Sequence, residues 1–325
     1  MTWFEALTGF PERSGDDVRS KIRLDGTRLT SLVNGREFDA GSFATPTLSD
    51  LRRKTKPRAG DRICVSETVG CVRALHADTA NANAVFQVAS QFNCLEMATP
   101  AITPEDGIGI YETDWTQGPA CSISAGAGTI YRNYFANVNG HVGQTRDNQI
   151  DCLEDVGRHF GRDFWQMENG YCFPTASGLQ QIENRLANCS SQELDEIRAK
   201  LRVGVQSQTQ VTVDHAVHFV SQVFCSALPV AYSNISNSQW DHFPRLVLDA
   251  TYESTFHVAV QNLEETVCRK LYLTLVGGGV FGNRSDWILS AIARSLELFA
   301  WADLDVRIVS HGSSNAEVGR FLRSI

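Results

Sequence analysis

No stretch of this chain is apolar over the roughly 18 residues that a membrane-spanning helix needs, so no membrane partner is expected. The opening residues, MTWFEALTGFPERSGDD, lack a basic start followed by an apolar stretch, and no secretory leader is read there. A long basic run is missing too. Formal net charge is -8, and the one basic cluster (Arg52, Arg53, Lys54, Lys56, Arg58) is short and reads as a solvated face. A nucleic-acid polymer is therefore not expected as the main ligand. The nine cysteines are scattered and odd in number, with no C-x-x-C, which argues against a zinc or disulfide framework. That usage suggests a reducing compartment and an intracellular protein, cytoplasmic or nuclear. Internal repeats and low-complexity tracts are also lacking.

What remains is 325 residues with 42% hydrophobic and 20% charged content, enough for one large α/β domain or one domain with elaborations. The first sixty residues are polar and turn-rich. Asp25-Gly26 signals a turn between short strands, and residues 47–54 read as a short helix after Pro46. This part, 1–59, is expected to be an extension or cap on a domain over 60–325. Ala84–Ala89 (AVFQVA) reads as a buried strand, followed by a long acidic loop from Gln91 to Gln117. Gly118-Pro119 opens a helix of small residues over 120–135. Residues 137–202 read as an inserted set of helices, with Ser190 and Glu193 as a capping box. A weak strand is expected over 203–213 and a buried one within 216–230. A helix over 244–262, a strand over 271–276, a helix over 285–299 and a strand over 304–310 complete the chain. Strands alternating with helices indicate a sheet covered by helices.

The strand YLTLV runs into Gly277-Gly278-Gly279-Val280-Phe281-Gly282-Asn283 and then a helix. Glycines permit positive φ and close approach of a ligand, and amides beside a helix start favour an anion. The Lys-Ser/Thr of a Walker A loop is absent. The ordinary alternative is a tight strand-to-helix turn.

The order of these segments resembles the C-terminal half of a macrodomain, where a small-Gly-hydrophobic-aromatic-Gly loop binds diphosphate. NAVFQVASQFN resembles the family's first ligand strand, although Gln87-Val88-Ala89-Ser90 stands where Asn-Ala-Ala-Asn is usual. The triple glycine is similar to the poly(ADP-ribose) glycohydrolase branch, but that branch's paired glutamates after Gln are absent. FQVASQFNCLEM, Asp114 to Cys121 and GGGVFGN with Trp287 resemble the arginine-specific macrodomain hydrolases, a branch that includes a bacterial effector acting on ubiquitin. The resemblance covers about residues 60 to 312. It implies a macrodomain-like three-layer α/β/α mixed sheet with an N-terminal extension and a helical insertion. It also implies hydrolysis at the anomeric carbon of a ribose joined to a protein side chain, with ADP-ribose and a mono-ADP-ribosylated protein as partners.

Such chemistry wants a carboxylate to activate water beside an oxocarbenium-like transition state. No metal or other cofactor is required. Asp114, Glu96 and Asp286 are the candidate catalytic residues, in that order. Their ordinary readings are a turn or cap residue, a solvated loop residue and dipole compensation in a first helical turn. Asp249 and Glu253, four apart on one helix, are a further pair. Asn93 is a candidate for the proximal ribose, with an Asx-turn as its alternative. Asp78 corresponds loosely to the acid that macrodomains place on adenine. Gln117 and Gly277 through Asn283 complete the ADP-ribose set, with Phe281 against the ribose or diphosphate. Trp115 and Tyr111 are candidates for adenine stacking. A non-catalytic reader of ADP-ribose and a protein for another phosphorylated metabolite are the competing readings.

Overall fold

The computed structural model describes residues 1–57, 63–161 and 164–325. Arg58 of the basic cluster and the expected 59/60 junction lie outside the described residues. Seven strands form the central sheet, in chain order β1 (Ser42–Ala44), β2 (Cys64–Val69), β3 (Val85–Ala89), β4 (Gly204–Gln210), β5 (Phe219–Cys225), β6 (Lys270–Leu273) and β7 (Asp305–Ser310). Their spatial order is β1-β4-β5-β3-β6-β7-β2. Strands β5, β3, β6, β7 and β2 run parallel, and β4 is antiparallel to both its neighbours.

The apolar run VFQVA is what a strand covered on both faces requires, and its first four residues are buried. The helices that cover the sheet and flank the site are α1 (Leu48–Lys54), α2 (Val72–Ala77), α3 (Gln117–Ser124), α4 (Gly126–Tyr134), α5 (Ala176–Ala187), α6 (Ser191–Arg198), α7 (His242–Thr266) and α8 (Ser285–Leu298). On one face, α7 meets the sheet partly through polar pairs. Gln87 Nε2 donates to Thr255 Oγ1 at 3.0 Å, and Ser221 Oγ donates to Asn262 Oδ1 at 3.1 Å. On the other face, His76 of α2 stacks on Phe86 at 3.8 Å, and Gln222 Nε2 donates to the Cys121 carbonyl of α3 at 2.8 Å. The three-layer mixed α/β arrangement expected from the segment order is the one observed.

Three local expectations are corrected. The helix read over 120–135 is two helices, because the backbone leaves helical geometry at Ala125 (φ -117°, ψ 59°). Thr212 causes the break: its hydroxyl accepts from Gly126 N at 2.9 Å, and its amide donates to the Ser124 carbonyl at 2.8 Å. Residues 137–202 contain two hairpins as well as helices, including Trp165–Glu168 paired with Tyr171–Pro174. Asn169 and Gly170 turn that hairpin at φ 46° and 82°, the left-handed pair a tight hairpin favours. β2 and α2 were not read from the sequence at all; β2 alternates half-buried and exposed residues and has no apolar run.

The first residues do form the Asp25-Gly26 hairpin, within a three-stranded sheet Ile22–Asp25, Arg28–Ser31, Glu37–Asp39. That sheet and the helix Trp3–Thr8 share a second hydrophobic cluster with Leu95, Met97, Ile108 and Tyr111. β1 then joins the main sheet at its edge beside β4.

Candidate functional site

The site forms where two parallel strands part. β3 and β6 pair only at Val85 with Leu271 and Phe86 with Tyr272. Beyond that point side chains replace the ladder. Gln87 Oε1 accepts from Thr274 N at 3.2 Å, and the Tyr252 hydroxyl of α7 donates to Thr274 O at 2.6 Å. Gln117 caps the carboxyl end of β3: its Oε1 accepts from Ala89 N at 2.8 Å, and its Nε2 donates to Gln87 O at 2.8 Å. A cavity of about 240 Å³ opens at this split, at the carboxyl ends of β3, β5 and β6. That is the position expected of a ligand site in an open parallel sheet.

Glu96 is brought to the cavity wall by a tight loop. Gln91 holds that loop with both ends of its amide, Oε1 accepting from Met97 N at 2.7 Å and Nε2 donating to Met97 O at 3.2 Å. Cys94 lies within it at φ 62°. Glu96 is not the solvated loop residue of the ordinary reading; it is 2% exposed. Its Oε2 accepts from the Ser122 hydroxyl at 2.7 Å and lies 3.7 Å from Arg132 Nη2, while Oε1 has no hydrogen-bond partner among the described residues. Burial pushes its carboxyl up to about 7, against the opposing pull of Arg132 and Ser122. Gly118 makes room for this packing, since a Cβ there would stand 2.0 Å from Ala89 O and 3.0 Å from Glu96 Cγ.

Asp114 lines the same cavity, half-buried, with Oδ1 accepting from Thr116 N at 2.8 Å in an Asx-turn. The glycine loop forms the facing part of the lining through Gly277, Gly279, Val280 and Phe281. Of its three successive glycines only Gly277 has positive φ, at 75°, and Gly282 has φ 71°. Asn283 closes the loop by donating to Gly277 O at 2.9 Å from its amide and to Leu228 O at 2.8 Å from its side chain. Among the described residues the backbone amides of Gly279, Val280 and Phe281 donate to no protein group. Three successive uncommitted amides beside a cavity offer hydrogen bonds to an anion. The glycines at 277, 279 and 282 also fall at G-x-G-x-x-G spacing. The strand after the next helix, however, ends in Ser310-His311-Gly312 with no carboxylate for a ribose, so the dinucleotide motif is not complete.

Several sequence candidates stand elsewhere. Asp78 is exposed and caps a turn before β3, accepting from Ala80 N at 2.9 Å, so it lies at the opposite end of that strand from the cavity. Asn93 is spent on structure, accepting from Leu95 N at 3.0 Å and donating to Gln149 at 2.9 Å. Asp286 is outside the cavity lining and pairs with Arg284 at 2.8 Å and Arg245 at 3.4 Å. Gly278, Gly282 and Asn283 shape the loop without lining the cavity. Asp249 and Glu253 face an ion network: Arg198 reaches Asp249 at 3.1 Å, and Arg52 and Arg294 each reach Glu253 at 2.6 Å. Burial alone would raise the Glu253 carboxyl, but His257, Arg52 and Arg294 hold it well below the usual range. Tyr111 is buried and accepts from Glu96 N at 3.0 Å, while Trp115 is 94% exposed beyond the lining. Among the described residues no cluster of His, Cys, Asp and Glu has the arrangement of a metal site.

The structure also adds residues that sequence reasoning missed. Tyr171, from the inserted hairpin, and Tyr232 pack on Phe281 at ring distances of 5.3 and 5.7 Å and complete an aromatic wall. Arg132 and Ser122 support Glu96 from behind. The Asn169-Gly170 turn was the one signal that could have placed Tyr171.

No family profile and no curated relative matches this chain. Among solved structures it is similar to poly(ADP-ribose) glycohydrolase from Thermomonospora curvata bound to the inhibitor ADP-HPD, with 13% identity and a TM-score of 0.47 over 96% of this chain and 97% of that one. It is similar to poly(ADP-ribose) glycohydrolase from Deinococcus radiodurans in complex with ADP-ribose, with 14% identity and a TM-score of 0.44 over 87% and 93%. The IBV X-domain aligns with 10% identity and a TM-score of 0.32 over 82% of this chain and 99% of its own.

Proposed function

We propose that this protein is an ADP-ribosylhydrolase that removes mono-ADP-ribose from arginine side chains of a modified protein, inside the cell. One observation carries the reading: a buried carboxylate, Glu96, shares a cavity with three uncommitted amides of a glycine loop. The amides suit a diphosphate, and the carboxylate suits water activation near an attached sugar. The aromatic wall of Phe281, Tyr171 and Tyr232 suits the ribose face. The segment order that resembles a macrodomain favours ADP-ribose over another phosphorylated ligand.

Charge supports arginine as the leaving side. Glu96 and Asp114 line the cavity, and no lysine, arginine or histidine does among the described residues. Two carboxylates favour a guanidinium, which leaves poorly unless it stays protonated. In the proposed reaction the bond from the anomeric carbon to the guanidinium nitrogen breaks, and its electron pair leaves with neutral guanidine. Water bonds to the anomeric carbon and gives a proton to Glu96, and that proton passes to the guanidine. The products are ADP-ribose and guanidinium, and Glu96 is returned ionised. Asp114 steadies the cationic side.

The test is incubation with protein ADP-ribosylated on arginine, modified ubiquitin included, and measurement of free ADP-ribose. Wild type should release it, and Glu96→Gln should lower the rate by about 10²–10⁴-fold while still binding ADP-ribose. Absence of release from arginine, glutamate and serine linkages would overturn the hydrolase. Retained ADP-ribose binding in that case would identify a reader, and competition only by unrelated nucleotides would identify a different ligand.

A further inference from the structure

We propose that Arg132 and Ser122 are positioning residues that dictate which oxygen of Glu96 carries its proton, holding Oε2 as a permanent acceptor and reserving Oε1 for exchange. The inference rests on reading Glu96 as the acid–base group. Arg132, on α4, has no exposed surface. Its guanidinium lies 3.6 Å from the Phe224 ring centroid and donates from Nε to Cys94 O at 3.1 Å. Its Nη2 donates to Ser122 Oγ at 3.0 Å and to Thr129 Oγ1 at 3.2 Å. Ser122, on α3, in turn reaches Glu96 Oε2 at 2.7 Å.

The direction of these bonds follows from chemistry. A guanidinium has donors and no acceptor, and a hydroxyl has one proton. Ser122 therefore accepts from Arg132 and points its proton at Glu96 Oε2. Oε2 is then an acceptor whether or not the carboxyl is ionised. A proton on Glu96 belongs on Oε1, the oxygen that has no hydrogen-bond partner among the described residues. Arg132 Nη2, 3.7 Å from Oε2, adds positive charge on that same side. The other titratable groups facing the carboxyl are Tyr111, Asp114 and Cys121. Of these, the Tyr111 hydroxyl acts as a donor toward the carboxyl and lowers it together with Arg132 and Ser122, but among the described residues no donor lies within hydrogen-bond distance of Oε1. The arrangement gives a general base one fixed working oxygen, which is what proton exchange with a single water requires.

The experiment is Ser122→Ala, with Arg132→Lys beside it, read by carbon-detected NMR titration of labelled glutamate carboxyls in the ligand-free protein. Loss of the Ser122 donor should raise the Glu96 midpoint by about one pH unit. The acid limb of the pH–rate profile for ADP-ribose release should move with it. ADP-ribose affinity by calorimetry, which depends on the glycine loop, should not change. Arg132→Lys should shift the midpoint less, because the charge remains. If that variant fails to fold, Ser122→Ala carries the test alone. An unmoved midpoint and an unmoved pH profile in Ser122→Ala would overturn the positioning role. A shifted midpoint in a protein that releases no ADP-ribose would sink only the hydrolase reading.

Discussion

Glu96 occupies an expensive position for a carboxylate, and the expense has a sign that can be measured. Its folded value is raised from 4.5 to about 7, chiefly by burial. The unfolded chain ionises first, so between those values the folded protein binds more protons. Stability from this group is thus highest below about 4.5 and falls as pH rises through the window, by up to about 3 kcal/mol. Urea unfolding across a pH series should show that decline, and Glu96→Gln should flatten it. In the proposed reaction the same titration sets the rate, since water activation needs the ionised form. Release of ADP-ribose should therefore rise with pH through about 7 and then level, and a rate already flat well below that range would remove Glu96 as the base. Glu96 was legible in the sequence as a candidate, but not as this candidate. A lone Glu in an acidic loop looks solvated, and its burial depends on Tyr111, Ser122 and Arg132, which distant segments deliver. The same blindness made Asp286 look available, when Arg284 and Arg245 already hold it.

The glycine loop separates two duties that a run of glycines merges. At Gly277 the φ of 75° and a Cβ that would stand 2.4 Å from Ala227 Cβ both demand glycine. At Gly279 the backbone is not left-handed and a Cβ would meet nothing within 4 Å. Gly277→Ala should accordingly destabilise the fold by about 1–3 kcal/mol. Gly279→Ala should leave the melting temperature unchanged and weaken ADP-ribose by roughly tenfold, because Gly279 lines the cavity and carries one of the three open amides. Melting curves and calorimetry on both variants separate the duties. Equal loss of stability in the two, or unaltered affinity in Gly279→Ala, would mean that the loop is a turn and not an anion cradle. Elements with a long apolar or glycine signal, such as β3 and the β6-to-α8 connection, were legible within a few residues. The break at Ala125 was not, because the Thr212 hydroxyl that makes it comes from the β4–β5 connection. The hairpin that brings Tyr171 had its Asn169-Gly170 turn in plain view, and only the expectation of helices hid it.

Across the whole molecule, the N-terminal extension reaches the site through the loop that ends at Asp114. Glu12 accepts from Ile108 N at 3.0 Å and from Gly109 N at 2.6 Å, and it also receives the Tyr134 hydroxyl. Trp3 adds two bonds, its amide to Glu112 at 2.8 Å and its indole to Ile108 O at 2.9 Å. The loop between those anchors carries Tyr111, which in turn meets Glu96. The sequence suggested a cap or an extra layer, but it gave no sign that one carboxylate would pin two amides of a remote loop, since nothing in the spacing of Glu12 and Gly109 records it. Gly107 has to be glycine for this contact, having φ 87° and a Cβ position 2.6 Å from Glu12 Oε2. Replacing Glu12 by Gln puts an amide donor where two backbone donors and a phenol now converge. The loss should be about 1–3 kcal/mol, read as a lower melting temperature. If the extension serves the site as well as the fold, the rate of ADP-ribose release should fall more than the affinity for ADP-ribose, because the glycine loop lies on separate elements and keeps its grip. A lower melting temperature with full activity at a temperature where the variant is folded would confine the extension to stability.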